Sequence, residues 1–343
     1  MKKAFIIIFA FIVLIGIIAA WMLFGTATAF NDKKKFLYIY DNKDVKEQVQ
    51  YQLDTGHIIH NEWLFNIMAQ RLKVWDRLKP GRFEITKGEN LVHLVRKLRN
   101  NQQSPVRLVI NKLRTRDDLA KVVGKFFSTD SLAAITFLSS NDSLQQLNVD
   151  TNTVMTLIIP DTYIIKWNTS VKGILQRFQK EEENFWQKNN RLEKAKALGF
   201  TSQQVYTLAS IVEEETNKND EKGDIASVYI NRYNKGMPLG ADPTIKFALK
   251  DFGLKRILYG HLNVNSPYNT YRNKGLPPGP ICTPQKVTID AVLDAPKTNY
   301  LFFVARSDFS GYHHFSDNYA EHQQYARLYQ KALDEWMAAH STK

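Results

Sequence analysis

The run AFIIIFAFIVLIGIIAAWMLF, from Ala4 to Phe24, contains no charged residue. A helix needs about 20 apolar residues to cross a bilayer, whereas the core of a cleaved signal is about 7–15 long. Ala27-Thr28-Ala29 imitates a small-x-small cleavage pattern, but length favours a retained anchor over residues 1–30, meeting the membrane through residues 4–24. Lys2 and Lys3 favour a cytoplasmic amino terminus, while Lys33, Lys34 and Lys35 pull the other way. The expected arrangement is a single-pass protein whose large domain lies outside.

The chain of 343 residues is long enough for two domains, or for one domain with a substantial appendage. With 44% hydrophobic residues and no repeat, it has the make-up of a folded protein. A net charge of +12 favours anionic partners such as acidic lipid headgroups, nucleic acid or a carboxylate-bearing polymer. The basic residues are dispersed, however, as on an ordinary solvated surface. The single cysteine, Cys282, excludes an intrachain disulfide and a thiolate zinc cluster.

Phe36–Tyr40 alternates as a strand, Trp63–Leu72 has a helical period, Gly81–Ile85 reads as a strand, and Asn90–Leu98 repeats leucine and valine at helical spacing. Residues 36–105 therefore form a small α+β module, and residues 106–343 a second domain with its core about 195–343. Pro160-Asp161 between two apolar runs predicts a hairpin, and Val171–Arg191 predicts one long helix. Thr201 with Gln204 suits a capping box opening the next helix.

That helix ends in LASIVEEET, residues 208–216. At about 100° per residue, Val205, Leu208, Ala209 and Val212 form one apolar stripe, with Glu214 about 150–170° away and thus solvated. Glu213 and Glu215 border the stripe, and periodicity does not choose between them. Partial burial there raises a carboxyl pKa, as general acid catalysis of glycosidic cleavage requires. The competing explanation is a solvated helix end. Further along, the loop NSPYNTYRNKGLPPGPICTP from Asn265 to Pro284 offers a stiff wall, with Tyr268 and Tyr271 as flat faces for a sugar ring. Asn231-Arg232 and Asp242-Pro243-Thr244 add polar groups. His313-His314 on a strand would point to opposite faces, which speaks against a metal.

The blocks 161-DTY-163, 208-LASIVEEET-216, 226-ASVYINR-232, 242-DPT-244, 268-YNTY-271, 275-GLPPGPI-281 and 300-YLFFVA-305 together resemble the YceG-like family, the endolytic murein transglycosylases. One departure is Glu214, where the family often has lysine. The resemblance implies a LysM-like module followed by a lysozyme-like transglycosylase domain, in an overall α+β fold. It implies lyase chemistry on the MurNAc–GlcNAc bonds of nascent peptidoglycan, leaving 1,6-anhydroMurNAc ends and terminating strand growth, without a cofactor. By the family motif the catalytic acid is Glu213. Glu215, Asn231, Asp242, Thr244, Tyr268, Asn269, Thr270, Tyr271, Pro277, Pro278 and Gly279 become the expected substrate-binding set. Peptidoglycan strands and cell-wall synthases (penicillin-binding proteins) are the expected partners, nucleic acid is not, and the expected location is the cytoplasmic membrane. The alternative is a non-catalytic, membrane-tethered peptidoglycan-binding protein.

Overall fold

The computed structural model describes residues 2–41 and 43–340, arranged as two compact units. The first contains the chain up to Leu108 with Phe126–Thr129 and Tyr163–Ser170. It opens with α1 (Lys2–Phe24), whose apolar side chains are exposed along its length, so the helix is long and apolar enough to span a membrane. The Ala27-Thr28-Ala29 segment that follows is built into the unit: Ala27 N–H donates to Glu89 O at 3.0 Å and Ala29 N–H to Ile58 O at 2.9 Å.

Strands β1 (Lys34–Ile39) and β2 (Gly81–Thr86) pair antiparallel, placing Leu37 opposite Phe83 and Lys35 opposite Ile85. Between them lie α2 (Val45–Thr55) and α3 (Glu62–Arg71), and after them α4 (Leu91–Arg99). Asp44, Asn61 and Asn90 each cap one of these helices by accepting the backbone N–H three residues on. The strand alternation turns Leu37, Ile39, Phe83 and Ile85 inward against Val49, Leu53, Phe65, Leu94 and Leu98. Trp167 joins this unit, its ring 5.1 Å from that of Tyr38 and 4.9 Å from that of Tyr40.

The expected hairpin around Pro160-Asp161 does not form. The residues before it make a single 3₁₀ turn over Val154–Leu157. Strand β4 (Thr162–Ile165) pairs instead with β3 (Val106–Val109). Ile158 and Ile159 are both buried, which a strand with one solvated face does not allow.

The second unit is mainly helical. It contains α5 (Arg116–Phe126) up to Lys125, α6 (Ser131–Leu138), α7 (Asn141–Leu144), α8 (Val171–Gln187), α9 (Arg191–Ala197) and α10 (Ser202–Glu215). After these come α11 (Lys222–Asn234), α12 (Asp242–Leu249), α13 (Lys286–Leu293), the antiparallel pair β5 (Phe302–Ala305) and β6 (His313–Ser316), and α14 (Tyr319–His340). The long helix expected over Val171–Arg191 forms but ends at Gln187, and α9 opens at Arg191. Asn189 and Asn190 take left-handed backbone, φ 59° and 54°, a conformation asparagine tolerates better than most residues. Helix α10 lies at the centre, packed on α11, α12 and α13. Its start is the expected capping box: Gln204 N–H donates to Thr201 Oγ1 at 3.2 Å, and Thr201 N–H to Gln204 Oε1 at 2.9 Å. His313 and His314 do face opposite ways, His313 Nδ1 lying 3.0 Å from Glu221 Oε2 and His314 stacking on Tyr325 at 4.2 Å.

Candidate active site

Every residue from Val205 to Glu213 is buried, so α10 has no wet face over that length. The acidic run at its end therefore meets protein on several sides. Glu213 points inward and is only 7% exposed. Its Oε2 lies 3.1 Å from the ammonium of Lys222 on α11, itself 3% exposed, and accepts the hydroxyl of Thr288 on α13. Lys222 also donates to Thr288 Oγ1 at 2.7 Å. The three side chains bolt three helices together away from water.

Glu214 was expected to be solvated and is not. Its side chain is 18% exposed and paired with Lys112 at 2.7 Å and Arg114 at 3.1 Å. Burial alone would raise its pKa, but the hydrogen bonds and charges of these two cations outweigh it and hold the carboxyl below its ordinary value. The error came from assuming one solvated face, when basic side chains outside the helix cover that side.

Glu215, the last residue of α10, is half-buried and accepts the phenol of Tyr229 on α11, Oη to Oε1 2.5 Å. Burial pushes its carboxyl up to about 7. The Tyr229 hydrogen bond works against that shift, the charge of Asp242 adds to it, and Lys246 and Arg232 oppose it. Asp242 sits exposed in the first turn of α12 and accepts the hydroxyl of Tyr271 at 2.6 Å. Glu215, Tyr229, Arg232, Asp242, Lys246 and Tyr271 thus form one electrostatic cluster.

Other residues expected to touch substrate are spent on the scaffold. Asn269 is fully buried, donating to Leu262 O and Val264 O, each at 2.9 Å, and accepting the Tyr271 N–H at 3.0 Å. It forms the turn that presents Tyr271. Thr270 and Thr244 are buried against each other, hydroxyls 2.9 Å apart, and Thr270 accepts the N–H of Ala241. They fix the start of α12 and so the place of Asp242. Asn231 Nδ2 donates to Thr298 O at 3.0 Å and Tyr300 O at 2.9 Å. Tyr268 packs half-buried on Phe247, ring centres 4.7 Å apart, and burial pushes its phenol up to about 12. Burial and prior hydrogen bonds remove Asn269, Thr270 and Thr244 from direct substrate contact.

The proline-rich wall docks on α10 itself: Ile281 N–H donates to Ser210 Oγ at 3.0 Å, and Cys282 lies buried beside the Ser210 carbonyl. Burial raises the Cys282 thiol well above its usual range, which makes it an inert packing residue. Pro277 and Gly279 are buried and Pro278 is exposed. A Cβ on Gly279 would come within 2.1 Å of Asn152 O, so only glycine allows this approach.

Lys222, Tyr229 and Thr288 were missed by sequence reasoning. Lys222, Ala226 and Tyr229 stand at i, i+4 and i+7 of α11, the spacing of one face. That face packs on α10 and delivers Lys222 to Glu213 and Tyr229 to Glu215.

The model of the YceG-like family matches residues 37–328. The chain is similar to an endolytic murein transglycosylase of Bacillus subtilis, 37% identical over 145 residues, which are 41% of this chain and 38% of that protein. It is also similar to one of Streptococcus pneumoniae R6, 27% identical over 344 residues, covering 88% of this chain and 61% of that protein. The matches thus span less than two thirds of the length of these curated relatives. Among solved structures, a yceG-like protein from Listeria monocytogenes is similar with a TM-score of 0.56 and 25% identity, covering 86% of this chain and 99% of that one. With its mixed helix-and-sheet fold and a family match running from residue 37 to 328, this chain belongs to the YceG-like family.

Proposed function

We propose that this protein is a membrane-anchored endolytic murein transglycosylase, with Glu215 rather than Glu213 transferring the proton. Both relatives described above carry the name endolytic murein transglycosylase. The observation that carries the assignment of Glu215 is its half-buried carboxyl, raised to about 7 beside exposed Asp242 and Tyr271. At pH 7 such a group is protonated about half the time, against well under ~1% for an ordinary glutamate. Glu213, by contrast, is committed to a buried ion pair.

In this reading Glu215 gives its proton to the glycosidic oxygen between MurNAc and GlcNAc. The bond from that oxygen to the MurNAc anomeric carbon breaks, its electron pair staying on the oxygen. The 6-hydroxyl oxygen of the same MurNAc bonds to the anomeric carbon, and its proton returns to the Glu215 carboxylate. No water is consumed, the product end is 1,6-anhydroMurNAc, and one carboxyl serves first as acid and then as base.

The apolar α1 would hold the enzyme at the membrane surface with its large domain outside, where nascent strands are made and where cell-wall synthases would be partners. The small unit takes the LysM-like role and the second unit the lysozyme-like catalytic role, so that cleavage terminates strand growth.

The test is incubation of the detergent-solubilised chain with intact peptidoglycan, followed by mass spectrometry of the soluble products. Anhydro-ended fragments are expected. Water-added ends would replace the lyase with a hydrolase, and binding without products would leave a tethered peptidoglycan-binding protein.

A further inference from the structure

Tyr229 is 1% exposed, lies on the α11 face packed against α10, and is held edge-on by the ring of Phe303 at 5.8 Å. Its hydroxyl reaches one oxygen of Glu215, Oε1, at 2.5 Å. Among the described residues this is the one hydrogen-bond partner of that hydroxyl. A phenol with a single acceptor in reach spends its proton there, which commits Oε1 to accepting.

We infer that Tyr229 is a positioning residue for proton transfer: by holding Oε1 as an acceptor it leaves Oε2 as the oxygen that carries the exchangeable proton, and it steadies the carboxylate once that proton has left. The inference rests on the reading of Glu215 given above. A hydrogen bond donated to a charged acceptor is stronger than one to a neutral acceptor, so Tyr229 favours the ionised form. Burial raises the Tyr229 phenol well above its usual range, so it remains a donor through the pH range in which Glu215 titrates.

The charged surroundings are defined on every side. On α11 Arg232 opposes protonation of Glu215, on α12 Asp242 favours it and Lys246 opposes it, and the loop contributes Tyr271, hydrogen-bonded to Asp242. On α10 itself Glu214 is neutralised by Lys112 and Arg114, and Glu213 by Lys222. Tyr229 and Asp242 therefore act on Glu215 with opposite signs, which gives the proposal a signed test.

The experiment follows the pH dependence of anhydro-ended product release by the full chain in detergent, using intact peptidoglycan. The upper limb, where activity falls as Glu215 loses its proton, is expected near pH 7. Tyr229→Phe is expected to move that limb up by about one pH unit, since the lost bond favoured the carboxylate. Difluorotyrosine at position 229 donates more strongly and is expected to move it down, which keeps the test available where the phenylalanine variant fails to fold. Asp242→Asn is expected to move it down as well. A uniform loss of rate with the limb unmoved, in both the phenylalanine and difluorotyrosine variants, makes Tyr229 merely structural and overturns the inference. Glu215→Gln separates the two layers: if it stays active, the reading of Glu215 itself fails, whereas an inactive Glu215→Gln with a fixed limb sinks only the role of Tyr229.

Discussion

Around Glu213, a carboxylate oxygen meets a buried ammonium and a buried hydroxyl from two other helices. Around Glu215, two residues along the same helix, the corresponding group meets one phenol and a cluster of charges that includes exposed Asp242. The first surroundings match a charge with a buried counter-charge. The second leave a half-buried carboxyl with no ion pair among the described residues, and burial outweighs the Tyr229, Lys246 and Arg232 contributions, so that protonated and ionised forms are close in free energy at neutral pH. The lesson is that burial alone does not make a catalytic acid. What matters is whether burial comes with a neutralising partner.

The most direct way to break this contrast is to remove each carboxyl's proton chemistry in turn. Glu215→Gln is expected to lower the rate of anhydro-product formation by about 10²–10⁴-fold, the usual worth of a general acid, with the melting temperature at pH 4.5 little changed. Glu213→Gln keeps the oxygen that accepts from Thr288 and is expected to act mainly on stability. Rates normalised to folded protein, determined side by side for the two variants, decide the matter. A larger catalytic loss in the Glu213 variant would reverse the assignment.

Lys222→Met attacks the other pocket. It leaves Glu213 buried without its cation, and breaking a buried pair from one side costs about 3–5 kcal/mol. Calorimetry should show a large fall in melting temperature. Replacing Glu213 by leucine in the same chain should restore much of it, because the orphaned charge is then gone. A melting temperature unchanged by Lys222→Met would mean that the pocket is wet and the contrast with Glu215 false.

The pH dependence of stability carries the next smaller effect. The folded pKa of Glu215, about 7, lies above its unfolded value of about 4.3. Between these values the folded state binds more protons, so this group makes the protein less stable as pH rises from about 4.5 to 7. Glu215→Gln removes that dependence. It should be more stable than the parent at pH 8 by about 1–3 kcal/mol and nearly equal at pH 4.5, as read from denaturant midpoints at the two pH values.

Much of this was legible beforehand, for identifiable reasons. The strand alternation at Phe36–Tyr40 and the Thr201–Gln204 box are local signals, and they formed as expected. The residues of the blocks DPT, YNTY and GLPPGPI pack around α10 and α12, and several are held in hydrogen bonds of the scaffold. Asn269 sets the turn under Tyr271, the Thr244–Thr270 pair seats Asp242, and Gly279 gives way to the Asn152 carbonyl. Periodicity could not separate Glu213 from Glu215, because what distinguishes them is Lys222, Thr288 and Tyr229, which arrive from other helices. It misplaced Glu214 because Lys112 and Arg114 are about 100 residues away along the chain. The end of α8 was placed about four residues too late, since two asparagines in a polar stretch read as ordinary helix surface until their φ values are known.

The smallest effect is expected at the other end of α10. Thr201→Ala removes the side chain that accepts the Gln204 N–H and half of the capping box, a loss of about 1 kcal/mol. Because the cap lies three turns from the acidic run, it weakens the helix that carries both pockets without touching the partners of either. Stability should fall slightly, by a few degrees in melting temperature, while the upper limb of the pH–activity profile stays where it is. A limb that moved with this variant would mean that the protonation of Glu215 follows the general firmness of α10. The contrast between the two pockets would then owe less to Lys222, Tyr229 and Asp242 than to the helix on which both carboxylates stand.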